Sequence, residues 1–223
     1  WLSSTEYIYS FNNFLIKNIK LNSNSNILDI GCGRGKILGS LNSRLKLKKK
    51  PLGIDLVNHK DKDKRISFKK IDAISFFSNN KNKYDLILIK QTIHLLSFSK
   101  IKTLMSLCKK NLNPNGKIFI FTIETTNNEL PTFKLMKSKL SKSLLRDKKV
   151  LKLITKIYPL NIKKKFIYKV KIDKKKYLSM IKNRYISILL SLTRGEILKG
   201  MSEIEIEYKN KIQFKDKLNC ILL

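Results

Sequence analysis

The run Asn26-Ile27-Leu28-Asp29-Ile30-Gly31-Cys32-Gly33-Arg34-Gly35 drives a short apolar segment into three glycines at alternate positions, and the helical pattern Ile37, Leu38, Leu41, Leu45 follows at once. Ile27, Leu28 and Ile30 predict a buried strand, and the glycines predict a turn whose main chain a ligand can approach closely. A helix from about Lys36 would point its unpaired N–H groups at that ligand. Spacing excludes two phosphate-binding loops. Lys36 stands where a dinucleotide fingerprint needs its third glycine. Ile30 stands where a P-loop needs its first glycine, and Ile37 where it needs a hydroxyl.

Working outward, Pro51 to Leu56 reads as a second short strand with Asp55 at its carboxyl end, twenty residues beyond Gly35. Asn58 to Arg65 is a polar loop, short for a helical crossover, and places His59 in solvent. Ile66 to Ala73 predicts a third strand that again ends in an acid, Asp72. Tyr84 to Lys90 is a continuous apolar run of the kind buried on both faces of a parallel sheet, and it leads into Gln91-Thr92-Ile93-His94. Helical spacing resumes through Ile101, Leu104, Met105, Leu107 and Cys108. It stops at Asn113-Pro114-Asn115-Gly116, a predicted turn before a fifth strand over Lys117 to Ile123.

The pattern Asp29-x-Gly31-x-Gly33-x-Gly35, followed by strands ending in acids, resembles motif I and its successors in the class I S-adenosylmethionine-dependent methyltransferases. That resemblance implies a Rossmann-like α/β fold, with a mostly parallel seven-stranded sheet, flanking helices and an inserted helical lid. It implies S-adenosylmethionine as cofactor, whose ammonium suits an acid at the loop. The positions it carries to cofactor binding are Tyr7, Asp29, Gly31, Gly33, Gly35, Asp55, Leu56, Asp72, Ala73, Lys90 and Gln91. Asp55 would accept the ribose hydroxyls and Asp72 the adenine amino group, with Ile74, Phe76 and Phe77 lining or covering that pocket. In this family an N-terminal segment often lies over the cofactor, so Tyr7 and Tyr9 could reach it; simple packing is the competing reading for each.

The chain reads as a single methyltransferase domain over 1–223: an N-terminal cover (1–25), a cofactor-binding core (26–123), and a C-terminal part (124–223) with a helical substrate lid and final strands. In the last part, Leu135, Met136, Leu140, Leu144 and Leu145 suggest a helix, Phe166 to Ile172 a strand, Tyr177 to Leu192 a helix, Glu196 to Tyr208 a capped helix, and Lys217 to Leu223 a closing strand. A helix inserted between the last two strands resembles, more distantly, the lid of small-molecule methyltransferases of the trans-aconitate type.

A formal charge of +32 invites a nucleic-acid partner. Only six of the 48 basic residues are arginine, however, and specific nucleic-acid sites lean on arginine forks and aromatic stacking. Lysine, asparagine and isoleucine share A/T-rich codons, so base composition accounts for much of the charge. Nucleic acid is open as a partner but not favoured. The three cysteines lie far apart in no metal-binding spacing, and no metal site is expected. No apolar run approaches the roughly 18 residues of a membrane span, so no membrane partner is expected. The chain begins at Trp1 without a basic-then-apolar signal pattern, which makes a cytoplasmic setting the default. Oligomeric state has no signature.

Three functions fit. The first is methyl transfer to a small-molecule acceptor. The second is an RNA methyltransferase using the basic surface, although Lys90-Gln91-Thr92-Ile93 stands where exocyclic-amine enzymes carry Asn/Asp-Pro-Pro-aromatic. The third is a protein that binds the cofactor without transfer. An ionised acceptor needs no base, whereas a hydroxyl or amine does. His94, four residues past the fourth strand, is the candidate catalytic residue, as a base, as a donor to substrate, or simply as a buried histidine. Arg184 and Tyr185 are the candidate substrate-binding residues. An arginine in a lysine-rich chain suits a bidentate carboxylate of the substrate, or an internal acid such as Glu203 or Glu205.

Overall fold

The computed structural model describes residues 1–223. Its strands are β1 (Ile27–Ile30), β2 (Leu52–Asp55), β3 (Ser67–Lys70), β4 (Tyr84–Lys90), β5 (Leu112–Ile123), β6 (Ile162–Asp173) and β7 (Lys211–Leu222). The helices are α1 (Thr5–Asn18), α2 (Lys36–Leu45), α3 (Ala73–Ser78), α4 (Phe98–Lys110), α5 (Lys134–Ile157), α6 (Lys174–Lys182) and α7 (Arg194–Glu207). The strands make one seven-stranded sheet in the order β3-β2-β1-β4-β5-β7-β6. β3, β2, β1, β4 and β5 pair in parallel, with Leu28 opposite Leu52 and Ile87, and Ile87 opposite Ile118. β7 runs against β5: Ile118 and Leu223 exchange N–H···O bonds of 3.0 and 3.1 Å.

The chain forms two compact units. The larger comprises Leu2–Thr122, Val150–Phe166 and Asn219–Leu223; the smaller comprises Trp1, Ile123–Lys149 and Ile167–Leu218. In the larger unit all four residues of β1 are buried, as a central strand covered on both faces requires. Alternate side chains of β5 divide between the two faces. Ile118 and Ile120 join Phe76, Ile101, Leu104 and Met105 beneath α3 and α4, while Phe121 meets Phe11 of α1 at 4.7 Å. The smaller unit has its own core, built on Phe133, Met136, Tyr177, Ile181, Leu189 and Ile204.

Several boundaries differ from expectation, most of them for a local reason. Asn113 to Gly116 is not a turn before β5 but an irregular stretch within it: Tyr84 pairs Leu112 while Leu86 pairs Lys117, and Asn113 Nδ2 donates to Asp85 Oδ1 at 2.7 Å. Helix α5 continues to Ile157 because Val150 and Ile154 carry its apolar face on past the lysines into the core. β6 and β7 begin earlier than Phe166 and Lys217, and the strand expected over Ile66 to Ala73 ends at Lys70 because Asp72 caps α3.

The last is the helix expected over Tyr177 to Leu192, which stops at Lys182. Arg184 takes φ +51°, Arg184 N–H donates to Ile181 O, and Tyr185 N–H donates to Met180 O. This is a Schellman ending with arginine at the position usually held by glycine.

Candidate active site

The glycine loop joins β1 to α2 with Gly31, Gly33 and Gly35 all at positive φ, between +55° and +74°. Gly31 is the constrained one. A Cβ there would fall within the side chain of Thr92, whose hydroxyl donates to Lys90 O at 3.1 Å. The loop is tied to the end of β2 twice: Gly31 N–H donates to Ile54 O at 2.8 Å, and Gly33 N–H to Asp55 Oδ2 at 2.8 Å. Val57 N–H donates to the other Asp55 oxygen at 2.9 Å. Each of those oxygens keeps a second lone pair for a ligand hydroxyl.

Asp72 ends the segment after β3 as the cap of α3. Its Oδ1 accepts the N–H groups of Ile74 and Ser75, which leaves Oδ2 without a cap bond. Asp29 lies beneath the loop and is 4% exposed, and its Oδ1 has no hydrogen-bond partner. Burial pushes its carboxyl up to about 7; Lys90 opposes that shift and Asp55 adds to it. A buried carboxylate oxygen without a donor is costly, and a cationic ligand group would supply the missing partner.

Lys90, the last residue of β4, sets its ammonium 5.6 Å from the ring centre of Tyr7 and 5.5 Å from that of Phe11. Gln91 follows in the left-handed region at φ +53°, held by its N–H bond to Phe121 O at 2.8 Å. Few non-glycine residues adopt that conformation, and here it is held at the cleft edge.

These groups border a cleft of about 420 Å³ at the carboxyl ends of β1, β2 and β4, a volume that suits a small-molecule cofactor. It brings together Gly31, Asp55, Leu56, Asp72, Ala73, Lys90 and Gln91 of the expected residues. Val57, Ile71, Thr92, Leu95 and Leu96 line it as well and were not foreseen. Only the position of Val57 beside Asp55, and of Thr92 beside Gln91, could have suggested them. Asp29, Gly33 and Gly35 shape the loop without lining the cleft, and Tyr7 is fully buried under Lys90.

Other expected residues lie elsewhere. Tyr9 stacks under the Arg44 guanidinium on the surface, 4.4 Å away. Phe76 and Phe77 turn into the core. His94 sits on the 3-10 turn Ile93–Leu95, and the cleft wall passes from Thr92 to Leu95 without its ring. Arg184 and Tyr185 belong to the smaller unit. The Arg184 guanidinium donates to Leu189 O at 3.2 Å and Leu192 O at 2.7 Å, not to Glu203 or Glu205. Tyr185 OH pairs with Tyr177 OH at 2.9 Å. Arg184→Lys loses the planar fork that reaches both carbonyls from two separate nitrogens, so it should lower stability by about 1–2 kcal/mol in urea denaturation; unchanged stability would show that these bonds are dispensable.

The sheet order and the acid-bordered glycine loop define a Rossmann-like fold of the class I methyltransferase type. A family model described as a methyltransferase domain matches residues 21–184, and the chain belongs to that family, the S-adenosylmethionine-dependent methyltransferases. Among solved structures it is similar to a putative methyltransferase from an antibiotic biosynthesis pathway of Anabaena variabilis (15% identity, 95% of this chain and 96% of that one, TM-score 0.64). It is also similar to a methyltransferase from Geobacter sulfurreducens solved with S-adenosylhomocysteine (14%, 99% and 91%, TM-score 0.56). A third likeness is to the plantazolicin methyltransferase BpumL (18%, 99% and 84%, TM-score 0.54). At such identities these likenesses concern the fold. No curated protein sequence matches the chain.

Proposed function

We propose that the chain transfers the methyl group of S-adenosylmethionine to a small-molecule acceptor. The donor supplies an electrophilic methyl on a sulfonium; the protein's part is to hold and orient the reactants and exclude water. In this reading Asp29 balances the donor's ammonium, Asp55 accepts from the ribose hydroxyls, and Asp72 and Ala73 face the adenine beside Leu56 and Val57. Gly31, Gly33 and Gly35 keep side chains out of the way, Lys90 and Gln91 close the β4 side, and Tyr7 supports Lys90. The observation that carries the reading is the unpartnered oxygen of buried Asp29 beneath a cleft flanked by Asp55 and Asp72.

Three things support a small acceptor. Lys90-Gln91-Thr92-Ile93 is not the box of exocyclic-amine enzymes. Two of the similar structures are named for antibiotic biosynthesis and for plantazolicin. The net charge of +32 draws anionic small molecules to the chain. Incubation with labelled S-adenosylmethionine and a metabolite panel should label a small, anionic product. Labelled RNA instead, or nanomolar sequence-selective RNA binding in place of the roughly 10⁻⁴ to 10⁻⁶ M typical of non-specific nucleic-acid binding, would overturn the reading.

His94 takes no part in proton transfer in this reading, because its ring is absent from the cleft wall and an anionic acceptor needs no base. His94→Asn should keep kcat within about threefold. A loss of roughly 10²-fold or more, with cofactor affinity intact, would restore the histidine as general base.

A further inference from the structure

The parallel strands of the larger unit direct their carboxyl ends to the cleft, so their amino ends form the opposite border of the sheet. Lysines crowd that border. Residues 48–50 before β2 are three exposed lysines, Lys81 and Lys83 precede β4, and Lys109 and Lys110 end α4 just before β5. The turn from α5 to β6 reaches the same border, since Tyr158 packs against the cluster that contains Tyr84, the first residue of β4, and lies close to Cys108 in the last turn of α4. Pro159 and an Asn161 Nδ2 bond to Tyr158 O at 2.6 Å stiffen this turn. At its tip Leu160 is 99% exposed, with Ile157 and Ile162 exposed beside it and Lys156, Lys163 and Lys164 around them.

The acids of this unit are elsewhere. Asp29, Asp55 and Asp72 serve the cleft end; Asp61 and Asp63 pair with Arg34 and Arg65; Glu6 opens α1, whose far end feeds β1. Only Asp85 stands at the lysine border, half-buried and accepting from Asn26 N–H and Asn113 Nδ2. A lysine excess set by composition alone would be interleaved with acids. Lys60, Lys62 and Lys64 do alternate with Asp61 and Asp63 in the loop after β2, whereas at this border ten exposed lysines stand around the single acid Asp85.

We propose that this border docks on an anionic lipid surface, with Leu160 as its inserted tip. The lysines would suit any polyanion, and Arg44 and Arg65 stand near the same border, but the protruding turn itself carries an aliphatic trio with no arginine and no exposed aromatic ring, which fits an acyl boundary and not a nucleic acid. No helix of the chain is long and apolar enough to cross a membrane, and docking requires none. The docked unit keeps its cleft at the far end of the sheet, open to water.

Vesicle flotation of the full chain tests this, using phosphatidylcholine with and without about one third phosphatidylserine. The chain should float with the anionic vesicles alone and be released by salt. Leu160→Asp, and separately Lys163→Glu with Lys164→Glu, should each lower partitioning about tenfold or more. Because these side chains are exposed, melting temperature and S-adenosylhomocysteine affinity should not move. Equal flotation on neutral vesicles, no flotation, or binding indifferent to Leu160→Asp would overturn the proposal. So would tight RNA binding that depends on the same lysines but not on Leu160.

Discussion

Gly31→Ala is expected to cost about 2–5 kcal/mol of stability and to abolish cofactor binding in whatever protein remains folded. Two effects add. An L-residue held at φ +74° carries roughly 1–2 kcal/mol of strain, and a methyl placed inside the Thr92 side chain adds the 1–3 kcal/mol typical of overpacking. Thr92 cannot simply turn away, because its hydroxyl is bonded to Lys90 O. The partner substitution separates the terms: Thr92→Ala in the Gly31→Ala background removes the hydroxyl and methyl and should recover the packing part while the strain remains. Urea denaturation of the three variants and the parent measures both. Full additivity of the two single changes would show that the residues do not meet.

Asp29 should give the chain a pH-dependent cofactor affinity. Its carboxyl is raised to about 7 by burial, against an ordinary value of 3.8. Between pH 4 and 7 the folded chain therefore holds a proton that the unfolded chain has lost. In that window this group lowers stability as pH rises, by about 1.4 kcal/mol per pH unit, and it makes no further difference above about 7. A ligand ammonium favours the ionised carboxylate. Affinity for S-adenosylhomocysteine should thus climb up to about tenfold per pH unit below 7 and flatten above it. Asp29→Asn should remove the slope. Calorimetric titrations across this range decide the matter, and a slope that survives in the variant would assign the titration to another group.

Much of this was readable from the chain, because buried parallel strands such as β1 and β4 are written as continuous apolar runs, and the candidate acids stand at or just beyond strand ends: Asp55 ends β2, and Asp72 follows β3 as the cap of α3. Asp55 and Asp72 are legible for that reason, and so is the loop from Asp29 to Gly35. What escaped depends on contacts remote in sequence. Gln91 adopts a left-handed backbone only because Phe121 on the neighbouring strand accepts its N–H. Leu95 and Leu96 reach the cleft because a 3-10 turn, not a full helix, follows β4. Arg184 ends α6 without the glycine that ordinarily signals such an ending, since its guanidinium is held by two carbonyls farther along. The site was thus legible as an ordered set of strand ends, and its apolar walls were not.

If the cleft between Asp55 and Asp72 holds S-adenosylmethionine, the ribose contact at Asp55 must carry part of the affinity. Calorimetric titration of S-adenosylhomocysteine into the chain and into its Asp55→Ala variant, with melting followed in parallel, measures that part. Saturable one-to-one binding is expected for the parent chain, weakened in the folded variant by about 1–3 kcal/mol, roughly fivefold to 150-fold, through the loss of hydrogen bonds to a charged group. Equal affinity in the two proteins, or no binding by the parent, would contradict it.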